Sequence, residues 1–262
     1  MRYLIIFLFF SSFTYSLQAL ESGVHFVKCE KVCKKTKRST ETVYYPSKSD
    51  NDNIILWIPG GPGQSTDLLT RPPAELQGKI DVGTVGTPYP MRNPPNGDVP
   101  LAYHKETVSR LTEVINFYKK ELNKNIWLAG HSNGGPRIVG YLRKKDNFKN
   151  LKGIIFSAAN VGYGAHRGNP AYRMKIWKVK ELDLPVLVLH HARDLCSDCS
   201  PSNQRWLEKK IKKINKNVTK RIEITAGDPR KDTSCKSGHH MYADSKKEAA
   251  NIILNFVKEN TN

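Results

Sequence analysis

The chain has 262 residues, 39% of them hydrophobic, and its 42 Lys and Arg outnumber 24 Asp and Glu to give a net charge of +18. That length supports one α/β domain with a full buried core, and no internal repeat or low-complexity linker points to a second domain. The basic excess attracts anions, yet no zinc-finger or RNA-recognition signature accompanies it, which excludes a specific nucleic-acid module.

At the N-terminus Arg2 precedes the apolar run Tyr3-Leu4-Ile5-Ile6-Phe7-Leu8-Phe9-Phe10, and small and polar residues lead on to Leu17-Gln18-Ala19. The pattern predicts a secretory signal peptide over residues 1–19, cleaved after Ala19, and a single domain over 20–262. Its apolar core is shorter than the roughly 20 residues of a spanning helix. No later segment is long or apolar enough either, so the mature chain is expected to be secreted or periplasmic, without a transmembrane segment. Loss of Arg2 takes the basic residues from 42 to 41 against 24 acids, a charge of +17. An oxidising destination makes the five cysteines candidates for disulfides. Cys29 and Cys33 are expected to bridge each other, and Cys196 or Cys199 to reach Cys235, with one thiol left over.

Further along, Ile54-Ile55-Leu56-Trp57-Ile58 reads as a buried strand running into the loop Pro59-Gly60-Gly61-Pro62-Gly63. Residues 80–83 read as another strand, followed by a proline-rich stretch at 84–100 that would wall a site. Between 107 and 122 the residues Val108, Leu111, Val114, Ile115 and Tyr118 form one helical stripe that faces a core. The strand Asn125-Ile126-Trp127-Leu128-Ala129 then enters Gly130-His131-Ser132-Asn133-Gly134, and Ile138, Val139, Tyr141 and Leu142 continue at helical spacing. A Gly-x-Ser-x-Gly run between strand and helix is a nucleophile elbow: the turn strains Ser132, and the flanking glycines keep side chains out of its way. Pro59 and Pro62 have no N–H to give. The amides of Gly61, Gly60 and Asn133 are therefore the candidates for stabilising an oxyanion.

Residues 152–158 are the next expected strand. The connection from 160 to 184 contains Tyr163, His166, Arg167, Tyr172 and Trp177; it either borders a pocket or is an ordinary link with a helix near 171–179. After the strand at 185–190 comes Asp194, the expected acid that orients a catalytic imidazole, with Asp198 as alternative. A helix beginning near Ser202 turns Leu207, Ile211 and Ile214 inward; Lys209, Lys210, Lys212 and Lys213 form its solvated face or a weak attachment to an anionic envelope surface. Beyond a strand at 221–225, Gly238-His239-His240-Met241-Tyr242 supplies the base. Neighbouring loop residues point apart, so one histidine alone serves, His240 ahead of His239. The histidine pair lacks companions at zinc-binding spacing such as His-Glu-x-x-His, so neither metal nor cofactor is expected. A closing helix carries Ala249, Ile252, Ile253, Phe256 and Val257.

From about Glu41 to this last helix the sequence resembles the α/β-hydrolase superfamily. Gly60-Gly61-Pro62-Gly63 is similar to the oxyanion loop of proline iminopeptidase-like members, but the 160–184 connection is too short for their large cap. The resemblance implies an α/β fold with a mainly parallel sheet flanked by helices, Ser132 as nucleophile, Asp194 as acid and His239 or His240 as base. The expected activity is that of a serine hydrolase, cleaving a small-molecule ester or amide through an acyl-enzyme. A peptidase acting on short peptides, and an inactive hydrolase fold that binds an anionic envelope surface, are the alternatives.

Overall fold

A computed structural model of the protein describes residues 20–28, 39–60, 73–86, 105–144, 146–162, 174–228, 235 and 238–261. The signal segment, Cys29, Cys33, Gly61, Pro62, Gly63, most of the proline-rich stretch, Tyr163, His166, Arg167 and Tyr172 lie outside the described residues.

Four strands supply the centre of the sheet: β3 (Asn53–Ile58), β5 (Asn125–His131), β6 (Gly153–Ser157) and β7 (Val186–His191). Each is an almost unbroken run of buried residues, as befits parallel strands covered on both faces. β4 (Asp81–Thr84) and β8 (Thr219–Ile224) extend it in parallel on either side. β1 (Gly23–Val27) and β2 (Thr40–Tyr45) add an antiparallel edge, giving the order β1-β2-β4-β3-β5-β6-β7-β8.

Side chains alternate across the strands, and this sorts the core into two layers. Leu56, Leu128 and Phe156 point to the face covered by α1 (Lys105–Leu122), α2 (Gly134–Leu142) and α3 (Pro201–Lys212), which contribute Val114, Tyr118, Ile138, Leu207 and Ile211. Ile55, Trp127 and Leu187 point to the other face, where α4 (Lys246–Glu259) brings Ile253, Phe256 and Val257. Burying each such side chain contributes about 1.5–3 kcal/mol. The two layers therefore hold the carboxyl ends of β3, β5, β6 and β7 side by side, where an open parallel sheet offers its ligand-binding crevice.

The structure departs from the sequence reading in two places. β1 and β2 are not apparent there, because the buried face of β2 is built from Thr40, Thr42 and Tyr44. Those hydroxyls are satisfied inside: Thr42 shares a 2.8 Å bond with the Tyr118 hydroxyl, and the Tyr44 hydroxyl donates to Asp81, which also receives Lys124 at 2.6 Å. In the connection before β7, the described part of the expected helix is one 3-10 turn, Ile176–Lys178. Its bonds close after three residues, Lys178 N–H to Lys175 and Val179 N–H to Ile176, and the chain is extended at Val179.

Candidate active site

The strand-to-helix turn at the end of β5 places Ser132 at φ +49°, in the left-handed region a serine seldom occupies. Sterics enforce this turn. A Cβ on Gly130 would meet the backbone of Gly134 at 2.7 Å, and one on Gly134 would meet the Ile58 carbonyl oxygen at 2.1 Å. Only glycine permits β5, α2 and the end of β3 to approach so closely. The Ser132 backbone is held in addition, its N–H donating to Ser157 and its carbonyl accepting from Gly135 and Asn160.

Pro59 and Gly60, which follow β3, lie directly on this turn. A Cβ on Gly60 would stand 2.6 Å from the Ser132 Cβ and 3.3 Å from its Oγ, so the Gly60 backbone lines Ser132. Arg137, buried in the first turns of α2, donates from Nη1 to the Pro59 carbonyl at 3.1 Å and fixes the start of that loop. Burial lowers the Arg137 pKa to about 10, which still leaves it charged at neutral pH. Nothing in its spacing singles it out, since one arginine on an amphipathic helix reads as solvated. Asn133, the other oxyanion candidate, sits at the N-cap of α2 with its side chain receiving Asn160 Nδ2–H at 2.6 Å.

Across the crevice, Asp194 follows β7 and His240 lies in the 3-10 turn Gly238–Met241. His240 Nδ1–H donates to Asp194 Oδ2 at 2.9 Å, while Asp194 Oδ1 accepts the Cys196 N–H at 2.8 Å. Both side chains are buried. A proton on Nδ1 leaves Nε2 as the lone pair that faces outward chemistry. His239 points away and packs its ring on His191, with centroids 4.2 Å apart. Asp198 is also buried. Of the sequence alternatives, the geometry thus joins Asp194 to His240.

Three of the five cysteines, Cys196, Cys199 and Cys235, converge on the same place. Cys196 and Cys235 form a disulfide that ties the loop after β7 to the loop carrying His240. Cys199 is a free, buried thiol whose Sγ lies 3.9 Å from Ser132 Oγ, the side-chain hydrogen bond Ser132 makes here. Burial, reinforced by the charge of Asp194, pushes the Cys199 pKa up and keeps it a thiol. Gln204 donates to the carbonyls of Ala159 and Cys199 and holds this segment down.

His131, the residue before Ser132, forms the floor under His240. Their ring centroids are 4.9 Å apart, and His131 stacks on Trp57 from the other side. Its Nδ1 bonds Ser157, which in turn bonds Tyr242, whose hydroxyl donates to the Leu189 carbonyl. Burial and the nearby His240 lower the His131 pKa to about 3. The ring therefore stays neutral at neutral pH beside His240. The elbow pattern leaves this position open, and nothing in the sequence marks it.

No protein family and no curated protein matches the sequence. Among solved structures, the chain is similar to the acylaminoacyl peptidase of Pyrococcus horikoshii at TM-score 0.64 and 13% identity, covering 94% of this chain and 42% of the peptidase. It is also similar to oligopeptidase B from Trypanosoma brucei, at TM-score 0.60, 10% identity and coverages of 92% and 37%. A lipase-esterase related protein from Clostridium acetobutylicum gives TM-score 0.53, 15% identity and coverages of 83% and 99%. The chain spans less than half the length of the two peptidases and nearly all of the third protein. Its fold is that of the α/β-hydrolases.

Proposed function

We propose that this protein is an exported serine hydrolase that cleaves an ester or small amide through an acyl-enzyme. The observation that carries the reading is the buried Asp194–His240 pair, joined at 2.9 Å, beside a serine held at positive φ in a glycine-flanked turn. Catalysis requires Ser132 Oγ, which contacts Cys199 Sγ, to reach His240 Nε2 by rotation about its Cα–Cβ bond. Ser132 then attacks the carbonyl carbon as His240 accepts its proton, and Asp194 stabilises the imidazolium without itself taking the proton. The amides of Asn133 and of Gly61 or Gly60 receive the oxyanion. His240 returns the proton to the departing alcohol or amine, and water attacks the acyl-enzyme with the same histidine as base.

Export rests on residues 1–19, and the +17 charge of the mature chain supports weak association with an anionic envelope surface. Peptidase action on short peptides is the second reading, favoured by the peptidase names of two fold neighbours. A fluorophosphonate probe tests the common core of both. Labelling of the mature protein that disappears in Ser132→Ala is the expected result; an unlabelled protein that binds anionic vesicles instead overturns hydrolysis in favour of an inactive binder.

A further inference from the structure

The chemistry proposed above leaves three sulfurs unused around His240. The Sγ atoms of Cys196 and Cys199 and a ring nitrogen of His240 all lie within 4.8 Å of one another, and all three residues are buried. The disulfide brings the sulfur of Cys235 into the same cluster. Reduced, this is a set of three thiols and one imidazole converging from two loops. A tetrahedral zinc ion, with Zn–S near 2.3 Å and Zn–N near 2.0 Å, needs its ligand atoms roughly 3.5–3.8 Å apart. The ligand atoms of Cys196, Cys199 and His240, within 4.8 Å of one another, need to close in by at most about 1 Å, and opening the disulfide frees the Cys235 sulfur for the fourth position.

We propose that the protein, once its disulfide is reduced, has a zinc site made of Cys196, Cys199, Cys235 and the Nε2 of His240. A thiol reductant or phosphine supplies the two electrons that convert the Cys196–Cys235 bond to two thiols, and is itself oxidised. Zinc then displaces one proton from each of three thiols to solvent and accepts the neutral imidazole nitrogen. Burial and Asp194 oppose a bare thiolate at Cys199, but a divalent cation bonded to the sulfur reverses that balance. The outer support is already built: Asp194 holds His240 Nδ1–H with one oxygen and the Cys196 N–H with the other, the carboxylate–histidine arrangement that orients zinc-bound imidazoles. The sequence reading of the histidine pair missed these companions because they lie 39 residues apart along the chain and meet only through the fold.

Binding itself does not depend on hydrolysis; its consequence does. With Nε2 on zinc, His240 has no lone pair for Ser132, so the reduced, zinc-loaded form would be a resting state of the proposed enzyme. The test uses the full mature chain in a Cys29→Ser/Cys33→Ser background, oxidised or reduced with a phosphine under anaerobic conditions, titrated with Co²⁺ as a spectroscopic probe and then with Zn²⁺. The expected result is one metal per reduced chain, with thiolate-to-cobalt absorption in the near ultraviolet and tetrahedral visible bands, and none in the oxidised chain. Cys199→Ser and His240→Asn each weaken uptake by more than about 100-fold. Equal uptake by these variants, no uptake by the reduced chain, or uptake only after circular dichroism shows the fold lost, overturns the site. Fluorophosphonate labelling, read in parallel, separates this outcome from failure of the hydrolase reading.

Discussion

On the β3–β5 side of the crevice, Ser132 is fixed by backbone lying against backbone, with Gly60, Gly130 and Gly134 each at a spot a methyl group would overfill. On the β7–β8 side, His240 is fixed by side-chain links between distant segments: a hydrogen bond to Asp194 across 46 residues and a disulfide across 39. The first kind of restraint is close steric contact, so a change there distorts the turn or breaks the fold. The second is a set of discrete bonds, each removable by itself with a graded effect.

Chemistry should show the largest effect, and it joins the two sides. Ser132→Ala and Asp194→Asn are each expected to lower hydrolysis of an activated ester by about 10⁴-fold or more with the fold intact, the asparagine by presenting the wrong tautomer of His240. Turnover is measured against circular dichroism, and a mild effect of Asp194→Asn would mean that the hydrogen-bonded pair is structural. On the β7–β8 side alone, opening the disulfide with Cys196→Ser/Cys235→Ser should cost about 4 kcal/mol, from the loop entropy released to the unfolded chain. The urea midpoint reads this, and an unchanged midpoint would show the two loops to be held by packing.

Gly134→Ala probes the opposite side. Its methyl group would sit 2.1 Å from the Ile58 carbonyl oxygen, and a loss of about 3 kcal/mol or more is expected. Because a backbone atom blocks it, no rotamer relieves the strain; a neutral result would mean that β3 yields. The smallest effect is in pH. With the His131 pKa lowered from 6.5 to about 3, the unfolded chain binds a proton between those values that the folded chain refuses. This contribution to stability is complete above pH 6.5 and falls on acidification at up to about 1.4 kcal/mol per pH unit. His190 and His191 shift in the same direction. Urea melts at pH 7 and pH 5 should accordingly show a shallower dependence for His131→Gln than for the parent, and equal slopes would assign the effect to the other two.

The same contrast governs what could be read from the sequence. The central strands were legible because burial on both faces leaves an apolar run, and the elbow because strain at Ser132 demands glycines at fixed offsets. Asp194 and the histidine pair were legible as candidates from their places after β7 and β8, but choosing His240 over His239 needed the direction of two adjacent rings. Arg137 and His131 escaped notice, and Cys199 was read there only as a disulfide candidate. Each acts through a contact with a residue remote in sequence, which leaves no periodic trace. β1 and β2 escaped for a related reason, since hydroxyl-bearing residues on the buried face of β2 erase the alternation that would announce a strand.

The Cys196–Cys235 link also changes what the outermost strand can do. β8 closes one margin of the sheet with only Ile224 of its six residues fully buried, and along the chain it lies between Asp194 and His240. Without a covalent shortcut, fraying of that margin would let acid and histidine drift apart. With it, β8 is free to open and exchange its amide hydrogens quickly while the two groups stay in register, so local breathing at the periphery is uncoupled from the geometry of the crevice.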